Sequence, residues 1–439
     1  MTYQPIIGLE VHVELATKSK MFCGCSAEHF GVEPNTHTCP VCLGLPGALP
    51  VPNKKAVEWT VKLALALGCQ INLESHFDRK NYFYPDLPKG YQITQYEKPF
   101  GEWGKLGNIR IRRVHLEEDT GKLQHQADQT LVDFNRSSVP LVEIVTEPDF
   151  RNLEDVDLYL KKLQKIIRYL EISNADMEKG SMRLEPSISI MPLSNSDLPF
   201  PLPNDQLPNY RVELKNINSF RFVKRALEYE IKRQSELLDN GEKISQQTRG
   251  WSEPKGVTFP QREKEEAHDY RYFPEPDIPP IVFTQARIDE IKAEIPELPE
   301  EKSARFQKQY SLSGYDANLL VEDRKTGEYF EQALMDAKDI TAKEIANWII
   351  NKKVDLETEV PAQLVEKIMK SKNTVAADQK ELEKIIDEVL VQNIKAVEDY
   401  RNGKTQVLMY LIGKIFQKFS GLPKDKVIEI LKNKLDFGK

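Results

Sequence analysis

The sequence lacks long apolar runs: no stretch of about 18 apolar residues occurs among its 439 residues, so we expect no membrane-spanning helix. The first residues lead into a strand-like pattern without a basic leader and an apolar signal core, which predicts a cytoplasmic protein. An excess of positive charge is also missing, since 61 Lys and Arg face 68 Asp and Glu. The net charge of -7 excludes a protein that coats nucleic acid with its whole surface, although it allows a local basic patch.

Several familiar catalytic motifs are absent as well. The chain has no GxxxxGK[ST] phosphate loop, no GxGxxG after a strand, no GxSxG nucleophile elbow and no HExxH. If the protein uses ATP, acidic and basic side chains on a sheet must therefore bind it in place of a glycine-rich loop.

Cysteine is scarce: five residues are too few for a disulfide framework, and the odd number fits a reducing compartment. Four of them form two close pairs, Cys23 with Cys25 and Cys39 with Cys42. This spacing predicts a structural zinc knuckle over residues 23–42 with four thiolate ligands. Four unconnected buried thiols, or a redox-active Cys-x-x-Cys, are the alternatives. A closed zinc site of this kind stabilises a loop and performs no catalysis.

Three segments predict strands that carry acidic side chains. The first alternates strictly after Gly8, which places Glu10 and His12 on the face opposite its apolar residues. Carboxylates on neighbouring strands repel one another unless a cation lies between them, so such a cluster suits Mg²⁺ that carries a nucleotide's phosphates. For the first strand alone, a solvated face is the alternative interpretation. The acids of the three segments are Glu10, Glu14, Glu117, Glu118, Asp119 and Glu143.

The pattern along the chain predicts three domains. Residues 1–293 mix short strands and turns with two amphipathic helices, at 153–170 and 221–238. A proline-rich stretch ends this part, and a helical domain (294–369) and a helical tail domain (370–439) follow. We therefore expect an α+β fold in which a mostly antiparallel sheet precedes two all-α domains.

The tail is basic. Residues 401–439 contain nine Lys or Arg and three Asp or Glu, a charge of 9 - 3 = +6. Apolar residues from Leu408 to Phe419 follow helical spacing, while Lys414 and Lys418 lie off that face. This surface either contacts nucleic-acid phosphates or is the solvated side of a small bundle.

Four stretches together resemble one protein family. They are residues 7–14 (Ile-Gly-Leu-Glu-Val-His-Val-Glu), 79–86 (Arg-Lys-Asn-Tyr-Phe-Tyr-Pro-Asp), 212–220 (Val-Glu-Leu-Lys-Asn-Ile-Asn-Ser-Phe) and 269–277 (Asp-Tyr-Arg-Tyr-Phe-Pro-Glu-Pro-Asp). In this order they resemble the B subunits (GatB) of glutamine-dependent aspartyl/glutamyl-tRNA amidotransferases. The resemblance covers the whole chain and implies a cradle domain loosely similar to glutamine synthetase, with a tail domain that binds tRNA.

The resemblance also implies a reaction. Members of this family use ATP and Mg²⁺ to phosphorylate the side-chain carboxylate of Glu-tRNA(Gln) or Asp-tRNA(Asn), because a free carboxylate is a poor acyl donor. Ammonia then displaces the phosphate. The ammonia comes from a separate amidase subunit, which a small third subunit clamps into a heterotrimer. No amidase nucleophile motif is present in this chain.

Site residues are implied in the same way. Glu10, His12 and Glu118 match the family's metal positions, while Lys80 and Tyr82 match positions near the pocket that ammonia enters. Strand parity alone does not exclude Glu117, the neighbour of Glu118. Independently of the resemblance, Arg183, Lys215 and Arg271 are basic side chains available for phosphate, although each taken singly is more often a surface charge. The side chains expected to bind the nucleotide and its metal are Glu117, Arg183, Glu185, Lys215 and Arg271.

Three short segments depart from the family pattern. Residues 183–187 read Arg-Leu-Glu-Pro-Ser where the family usually reads Arg-Cys-Asp-x-Asn, residues 135–141 have a serine in place of a glycine, and Thr120 replaces an alanine. The first departure keeps a second hypothesis open, a catalytically silent subunit that binds tRNA or assembles a complex. A third hypothesis is a free-standing ATP-dependent amide ligase that uses ammonia directly.

Overall fold

A computed structural model describes residues 2–193, 203, 206–263, 270–337, 339–351, 354–402, 404–418 and 424–436. The chain divides into two compact units, Met1–Lys302 and Ser303–Lys439. Within the described ranges, no helix is both long enough and apolar enough to span a bilayer.

A nine-stranded sheet forms the centre of the first unit, in the order β14-β13-β12-β11-β1-β10-β7-β6-β2. Every neighbouring pair in it is antiparallel except β12 and β13, so the prediction of a mixed fold with a mostly antiparallel sheet is confirmed. The strands are β1 (Tyr3–Glu14), β2 (Gln70–Ile71), β3 (Glu74–Ser75), β4 (Asp78–Asn81), β5 (Tyr91–Thr94), β6 (Gly101–Leu106), β7 (Ile109–Glu118), β8 (Lys122–His125), β9 (Thr130–Asp133), β10 (Pro140–Thr146), β11 (Met182–Pro192), β12 (Val212–Lys215), β13 (Gln247–Ser252), β14 (Val257–Glu263), β15 (Phe273–Pro274) and β16 (Ile281–Val282).

The alternation of β1 decides which face of the sheet is buried. Leu9, Val11 and Val13 are almost fully buried in the main core, and Glu10 and His12 line a cavity on the other face. Helices α1 (Lys54–Ala66), α2 (Leu153–Tyr169) and α3 (Phe220–Asp239) contribute their buried residues to the same core. The helices predicted at 153–170 and 221–238 are thereby confirmed, with ends shifted by one residue. The unit continues with α4 (Gln285–Ala293).

The alternation of buried and cavity-facing side chains along β7 is interrupted near the middle of the strand. Ile111 and Val114 both face the core although three positions separate them, which a regular strand does not allow. The register with β10 shifts at this point and leaves Arg112 without a partner on that strand, which is a β-bulge. As a result Arg113 and Glu117 face the cavity. The sequence pattern predicts one regular strand here, without the bulge.

The second unit is helical, and its long helix α9 crosses the predicted boundary between residues 369 and 370. Leu364 and Ile368 are buried before this point, and Leu382 and Ile386 are buried after it in a core shared with the last two helices. The apolar face predicted for the tail helix is confirmed among the described residues, since Leu411, Ile412 and Ile415 are buried. Phe419, which was also predicted for that face, lies outside the described residues. The helices are α5 (Pro299–Tyr310, which begins in the first unit), α6 (Gly314–Leu320), α7 (Arg324–Asp336), α8 (Ala342–Asn351), α9 (Pro361–Gln392), α10 (Ile394–Arg401), α11 (Val407–Lys418) and α12 (Lys424–Asp436).

Candidate functional site

A cavity of about 670 Å³ lies on the polar face of the large sheet. Its floor consists of side chains from four neighbouring strands, which the strand register brings opposite one another in rows. The first row consists of Arg183 on β11, His12 on β1, Glu143 on β10 and His115 on β7. In the next row, Glu10 on β1 lies opposite Glu185 on β11.

Three side chains of this floor form a cluster that fits a metal ion. The Nε2 atom of His12 lies 3.4 Å from Glu143 Oε2 and 4.0 Å from Glu117 Oε1. One donor atom from each residue lies within 4.8 Å of the others. His115 also contacts this cluster, since its Nε2 lies 3.2 Å from Glu143 Oε2. Two carboxylates suit Mg²⁺ or Mn²⁺, while an imidazole nitrogen is a ligand that transition metals take more readily than Mg²⁺ does.

The electrostatics of the floor also favour a bound cation. Burial raises the pKa of Glu10 to about 7, and the nearby carboxylates of Glu143 and Glu185 add to the effect. Burial raises the pKa of Glu117 in the same way, again with Glu143 adding to it. Burial alone would lower the pKa of His12, but these carboxylates outweigh it and raise that pKa to about 9. Glu10 and Glu117 thus favour holding protons that a divalent cation can replace. Burial alone would also raise the pKa of Glu143, but His115 and His12 hold that pKa well below its usual range, so this carboxylate is already ionised.

Cationic side chains line the same cavity. Arg183 Nη2 lies 2.7 Å from Asp119 Oδ2, and Lys215 Nζ lies 2.9 Å from Glu185 Oε2. Lys80 has aromatic neighbours instead, with its ammonium 4.9 Å from the ring centre of Tyr270 and 5.8 Å from that of Tyr82. Burial alone would lower the pKa of Lys80, yet the charge of Glu117 leads the effects that raise it, so the side chain remains an ammonium.

Two of the expected site residues lie elsewhere. The carboxylate of Glu118 contacts Lys89 Nζ and accepts a hydrogen bond of 2.9 Å from the N–H of Ile93, on the face opposite Glu117. Arg271 is exposed and lies outside the cavity wall, although Tyr270 and Tyr272 on either side of it line that wall. The expected residues that the cavity does bring together are Glu10, His12, Glu117, Lys80, Tyr82, Arg183, Glu185 and Lys215.

The four cysteines converge in a second cluster. One Sγ atom from each lies within 4.8 Å of the others, and Cys39 Sγ is 3.9 Å from Cys42 Sγ. A tetrahedral zinc site with bonds of about 2.3 Å places sulfurs about 3.8 Å apart, so the arrangement fits. The two histidines of the loop are engaged elsewhere: His29 Nε2 lies 2.9 Å from Glu14 Oε2, and His37 Nδ1 lies 2.7 Å from the carbonyl of Glu28.

The cysteine cluster favours one thiolate, at Cys42. The hydrogen bond to Cys42 raises the pKa of Cys23, and burial raises the pKa of Cys25 to about 11. Hydrogen bonding from Cys23 is the main cause that lowers the pKa of Cys42 to about 4, with the charge of Lys20 contributing. Lys20 is fully buried, and its Nζ lies 3.6 Å from Cys42 Sγ. A buried ammonium beside the sulfurs offsets part of the negative charge that four thiolates would place on a zinc ion.

Comparison with known proteins identifies the family. A family model described as the GatB/GatE catalytic domain matches residues 5–289, and a model described as the GatB domain matches residues 333–435. The chain belongs to the GatB family. It is similar to proteins named as the B subunits of aspartyl/glutamyl-tRNA(Asn/Gln) amidotransferases from Thermodesulfovibrio yellowstonii (44% identity over 98% of each chain), Carboxydothermus hydrogenoformans (43%, 99% of each) and Dehalococcoides mccartyi (44%, 99% of each).

The first departure from the GatB pattern is accommodated without breaking the sheet. Strand β11 runs through Pro186, which lies opposite Leu9 of β1. The N–H of Leu9 donates to Thr146 Oγ1 on its other side, so the Leu9 and Pro186 pair exchanges no ladder hydrogen bond. The missing donor of proline therefore removes no hydrogen bond between β11 and β1. It faces β12 instead, and the pairing of β11 with β12 covers only Ser187 and Ile188. Glu185 remains in the cavity wall, paired with Lys215.

The serine that replaces a GatB glycine is Ser138, and it has an unfavourable backbone. Its φ is 68°, it is fully buried, and its Oγ has no hydrogen-bond partner. We expect Ser138→Gly to raise the free energy of unfolding by about 1 kcal/mol. Relief of the left-handed backbone, about 1–2 kcal/mol, exceeds the entropic cost of glycine, about 0.5–1 kcal/mol. Denaturant unfolding of both proteins measures this difference.

The neighbouring residue provides a matched control for this prediction. Ser137 has an ordinary φ, and its Oγ donates a 3.2 Å hydrogen bond to the carbonyl of Cys42. Ser137→Gly should therefore lower stability by about 1 kcal/mol, since it loses this hydrogen bond and adds chain entropy. A loss of stability in the Ser138→Gly protein would contradict the argument from backbone strain.

Several residues of the site in this GatB chain, Glu143 and Arg113 among them, were not predicted from the sequence. Glu143 was recognised as an acid on a strand but not assigned to the site, because β10 is buried on both faces and its sequence shows no alternation. Arg113 was missed because the β-bulge of β7 changes the face of the sheet on which this residue lies. The available signal was the change of phase between Ile111 and Val114, which marks an inserted residue.

Proposed function

We propose that the protein is the B subunit of a tRNA-dependent amidotransferase that activates the side-chain carboxylate of Glu-tRNA(Gln) or Asp-tRNA(Asn) with ATP. The observation that carries this proposal is the cavity in which His12, Glu117 and Glu143 cluster beside the cations Lys80 and Arg183. Phosphoryl transfer needs this combination of a metal site and fixed positive charge. The names of the relatives, similar over almost their full length, agree with it.

The proposed reaction has two steps. The substrate carboxylate attacks the terminal phosphorus of ATP and forms an acyl phosphate, and ADP leaves. The nitrogen of ammonia then attacks the acyl carbon, the carbon–oxygen bond to phosphate breaks, and inorganic phosphate leaves with that electron pair. The nitrogen gives up a proton, and the side chain of the aminoacyl group has become an amide.

The residues of the cavity have distinct roles in this proposal. His12, Glu117 and Glu143 would hold Mg²⁺, with Glu117 in the place that the sequence analysis gave to Glu118. The ion would neutralise charge on the phosphates of the nucleotide. Lys80 stays protonated and supplies fixed positive charge above this cluster. Arg183 is held by Asp119 with its guanidinium at the cavity wall, where it can orient an anionic group.

Ammonia must reach this cavity from outside the chain, and a separate amidase subunit with a small clamp subunit would provide it. Tyr82 lies at the wall and its hydroxyl donates to Gln92 Oε1 over 3.1 Å. Its ring and that of Tyr270 enclose Lys80, which keeps water from that side. Such shielding matters because water competes with ammonia for an acyl phosphate. Since aminoacyl-tRNAs are used in the cytoplasm, we place the reaction there.

The alternative of a catalytically silent assembly subunit is not favoured. It rested on the departure at residues 183–187, but both charged side chains of that segment still line the cavity and both are ion-paired there. A silent subunit has no need of a converging metal cluster beside protonated cations. The free-standing ligase is the weaker option, because the relatives carry the name of a subunit.

Reconstitution tests the proposal directly. The full chain is mixed with the amidase and small subunits, ATP, Mg²⁺, glutamine and either Glu-tRNA(Gln) or Asp-tRNA(Asn), and amide formation on the tRNA is measured. We expect amidation that requires ATP. The same complex with Glu117→Gln is the control for a silent subunit: it should assemble and bind tRNA but produce no amide. Equal amidation with Glu117→Gln would refute the assigned site.

The tail offers a separate test of tRNA binding. Three of its lysines, Lys404, Lys418 and Lys434, are near acids of α9 and α10, so part of the basic excess is neutralised locally. Lys414 makes no ion pair within the described part of the chain and lies 5.8 Å from the ring centre of Tyr410. We expect Lys414→Ala to weaken tRNA binding. The plot of log affinity against log salt should become less steep, with the magnitude of its negative slope reduced by about 0.7–0.9. Filter binding at several salt concentrations measures both.

Lys434→Ala is the matched control for the tail, because Lys434 already pairs with Asp387 and leaves no free positive charge. Its salt slope should equal that of the unmodified protein. An unchanged slope in the Lys414→Ala protein would indicate that the basic helix is the solvated side of a bundle.

A further inference from the structure

A second cavity of about 340 Å³ adjoins the first on the same face of the sheet. Apart from Glu10, no acid lines it within the described residues; serine hydroxyls, Tyr210 and apolar side chains form most of its wall. Its cations are Arg113 and Arg211 at the junction with the first cavity, and Arg112, which pairs with Glu147. Such a lining suits an uncharged, partly aromatic group such as a nucleoside. The residues that line both cavities, and so form the junction between them, are Glu10, Tyr96, Arg113 and Arg211.

Arg113 is the cation of this junction that has no carboxylate partner among the described residues. Its Nε is buried and makes no hydrogen bond. Its guanidinium carbon lies 5.5 Å from the ring centre of Tyr96, which stacks on Tyr272 at 4.1 Å and fixes the side chain from one side. Other cations of the cavity are committed to carboxylates: Arg183 to Asp119, Arg211 to Glu213 at 2.8 Å and Lys215 to Glu185.

The backbone of β7 is irregular at this residue in a way that aims it into the junction. In a regular strand Arg113 would share the face of Ile111 and enter the core. The bulge at Arg112 adds one residue, so Ile111 stays buried and Arg113 turns to the cavity. Bulges of this kind beside active sites commonly redirect one side chain.

We propose that Arg113 binds the phosphate chain of the nucleotide at the junction, with the nucleoside in the smaller cavity and the terminal phosphate directed toward His12 and Glu117. This inference rests on the proposed function, because it assumes that ATP is the phosphoryl donor. The planar guanidinium presents a fork of N–H donors that matches phosphate oxygens, and it lacks an internal partner that would compete for them.

Calorimetric binding of ADP and of adenosine to the full chain in Mg²⁺ tests the inference. We expect Arg113→Met to weaken ADP binding by about tenfold or more, since a charged hydrogen-bonding partner is lost. Adenosine, which has no phosphate, should bind the variant about as well as the unmodified chain. Arg113→Lys should bind ADP with intermediate affinity, because a point charge replaces the fork. Arg110→Met is the control on the same strand, since Arg110 pairs with Asp149 away from both cavities.

Each outcome decides a different question. If the unmodified chain binds no ADP, the ATP-dependent part of the proposed function fails. If it binds ADP and a folded Arg113→Met protein binds ADP equally well, only the role of Arg113 is overturned. Equal losses of ADP and adenosine affinity would also overturn that role, because they indicate damage to the nucleoside cavity. Should Arg113→Met not fold, Arg113→Lys decides, and unchanged ADP affinity in it refutes the inference.

Discussion

In the reconstituted complex, His12→Ala should lower the rate of ATP-dependent amidation by about a thousandfold or more. His12 is the one nitrogen donor of the cluster with Glu117 and Glu143, and its removal takes away the ligand that lies between the two buried carboxylates, although His115 still contacts Glu143. Loss of the ion removes several kcal/mol of transition-state stabilisation, and each 1.4 kcal/mol corresponds to a factor of ten in rate. ADP formation in the presence of charged tRNA measures the phosphoryl step directly.

A surface histidine serves as the control for this variant. His125 is exposed on the β8–β9 hairpin, so His125→Ala should amidate at the normal rate. The affinity of the His12→Ala protein for tRNA should stay within about twofold, because His12 lies in a cavity whose proposed ligands are phosphates and a metal. Normal ADP formation by His12→Ala would show that the polar face of β1 is only a solvated surface.

We propose that the cysteine cluster binds zinc; replacing Cys42 with serine should then remove the ion and produce the largest loss of stability among the variants considered. Cys42 is the fully buried member of the cysteine cluster and the one with the lowered pKa. A structural zinc ion contributes its binding free energy to folding, so we expect a loss of more than about 4 kcal/mol in the part of the chain that the loop supports. Metal analysis should give one zinc per unmodified chain and almost none in the variant, and thermal unfolding should show the loss.

The lone cysteine distinguishes a zinc effect from the loss of any buried thiol. Cys69 is buried far from the cluster in sequence, and Cys69→Ala should keep one zinc per chain. A protein purified without chelators that contains no zinc, or a Cys42→Ser protein that retains it, would contradict the assignment. Treatment of the unmodified chain with a chelator should reproduce the destabilisation of Cys42→Ser.

The parts of this molecule that sequence predicts well are those in which local pattern and tertiary role agree. Strict alternation placed Glu10 and His12 on the polar face, because the apolar residues between them have to reach the core. Two amphipathic helices were found within one residue of their ends. The spacing of the cysteine pairs predicted a convergence that the structure contains, since short turns bring such pairs together.

The rest depended on features that have no local signature. To decide whether Glu117 or Glu118 faces the cavity, one has to count alternating residues along β7 from a known core residue. The bulge at Arg112 inserts a residue and makes that count ambiguous. Glu143 belongs to a strand that is buried on both faces, so its sequence has no polar side. Which strands lie beside β1 is a long-range property that alternation does not encode.

The position of β1 in the sheet has a consequence for synthesis of the protein. This strand leaves the ribosome before its two neighbours in the sheet, β10 and β11, which end at Thr146 and Pro192. At about 5–20 residues per second, the ribosome needs roughly 10 to 35 seconds to reach the end of β11 after finishing β1. During that interval Glu10 and His12 belong to a strand with at least one unpaired edge, so the nascent chain is open to chaperones and to misassociation until its second flanking strand emerges.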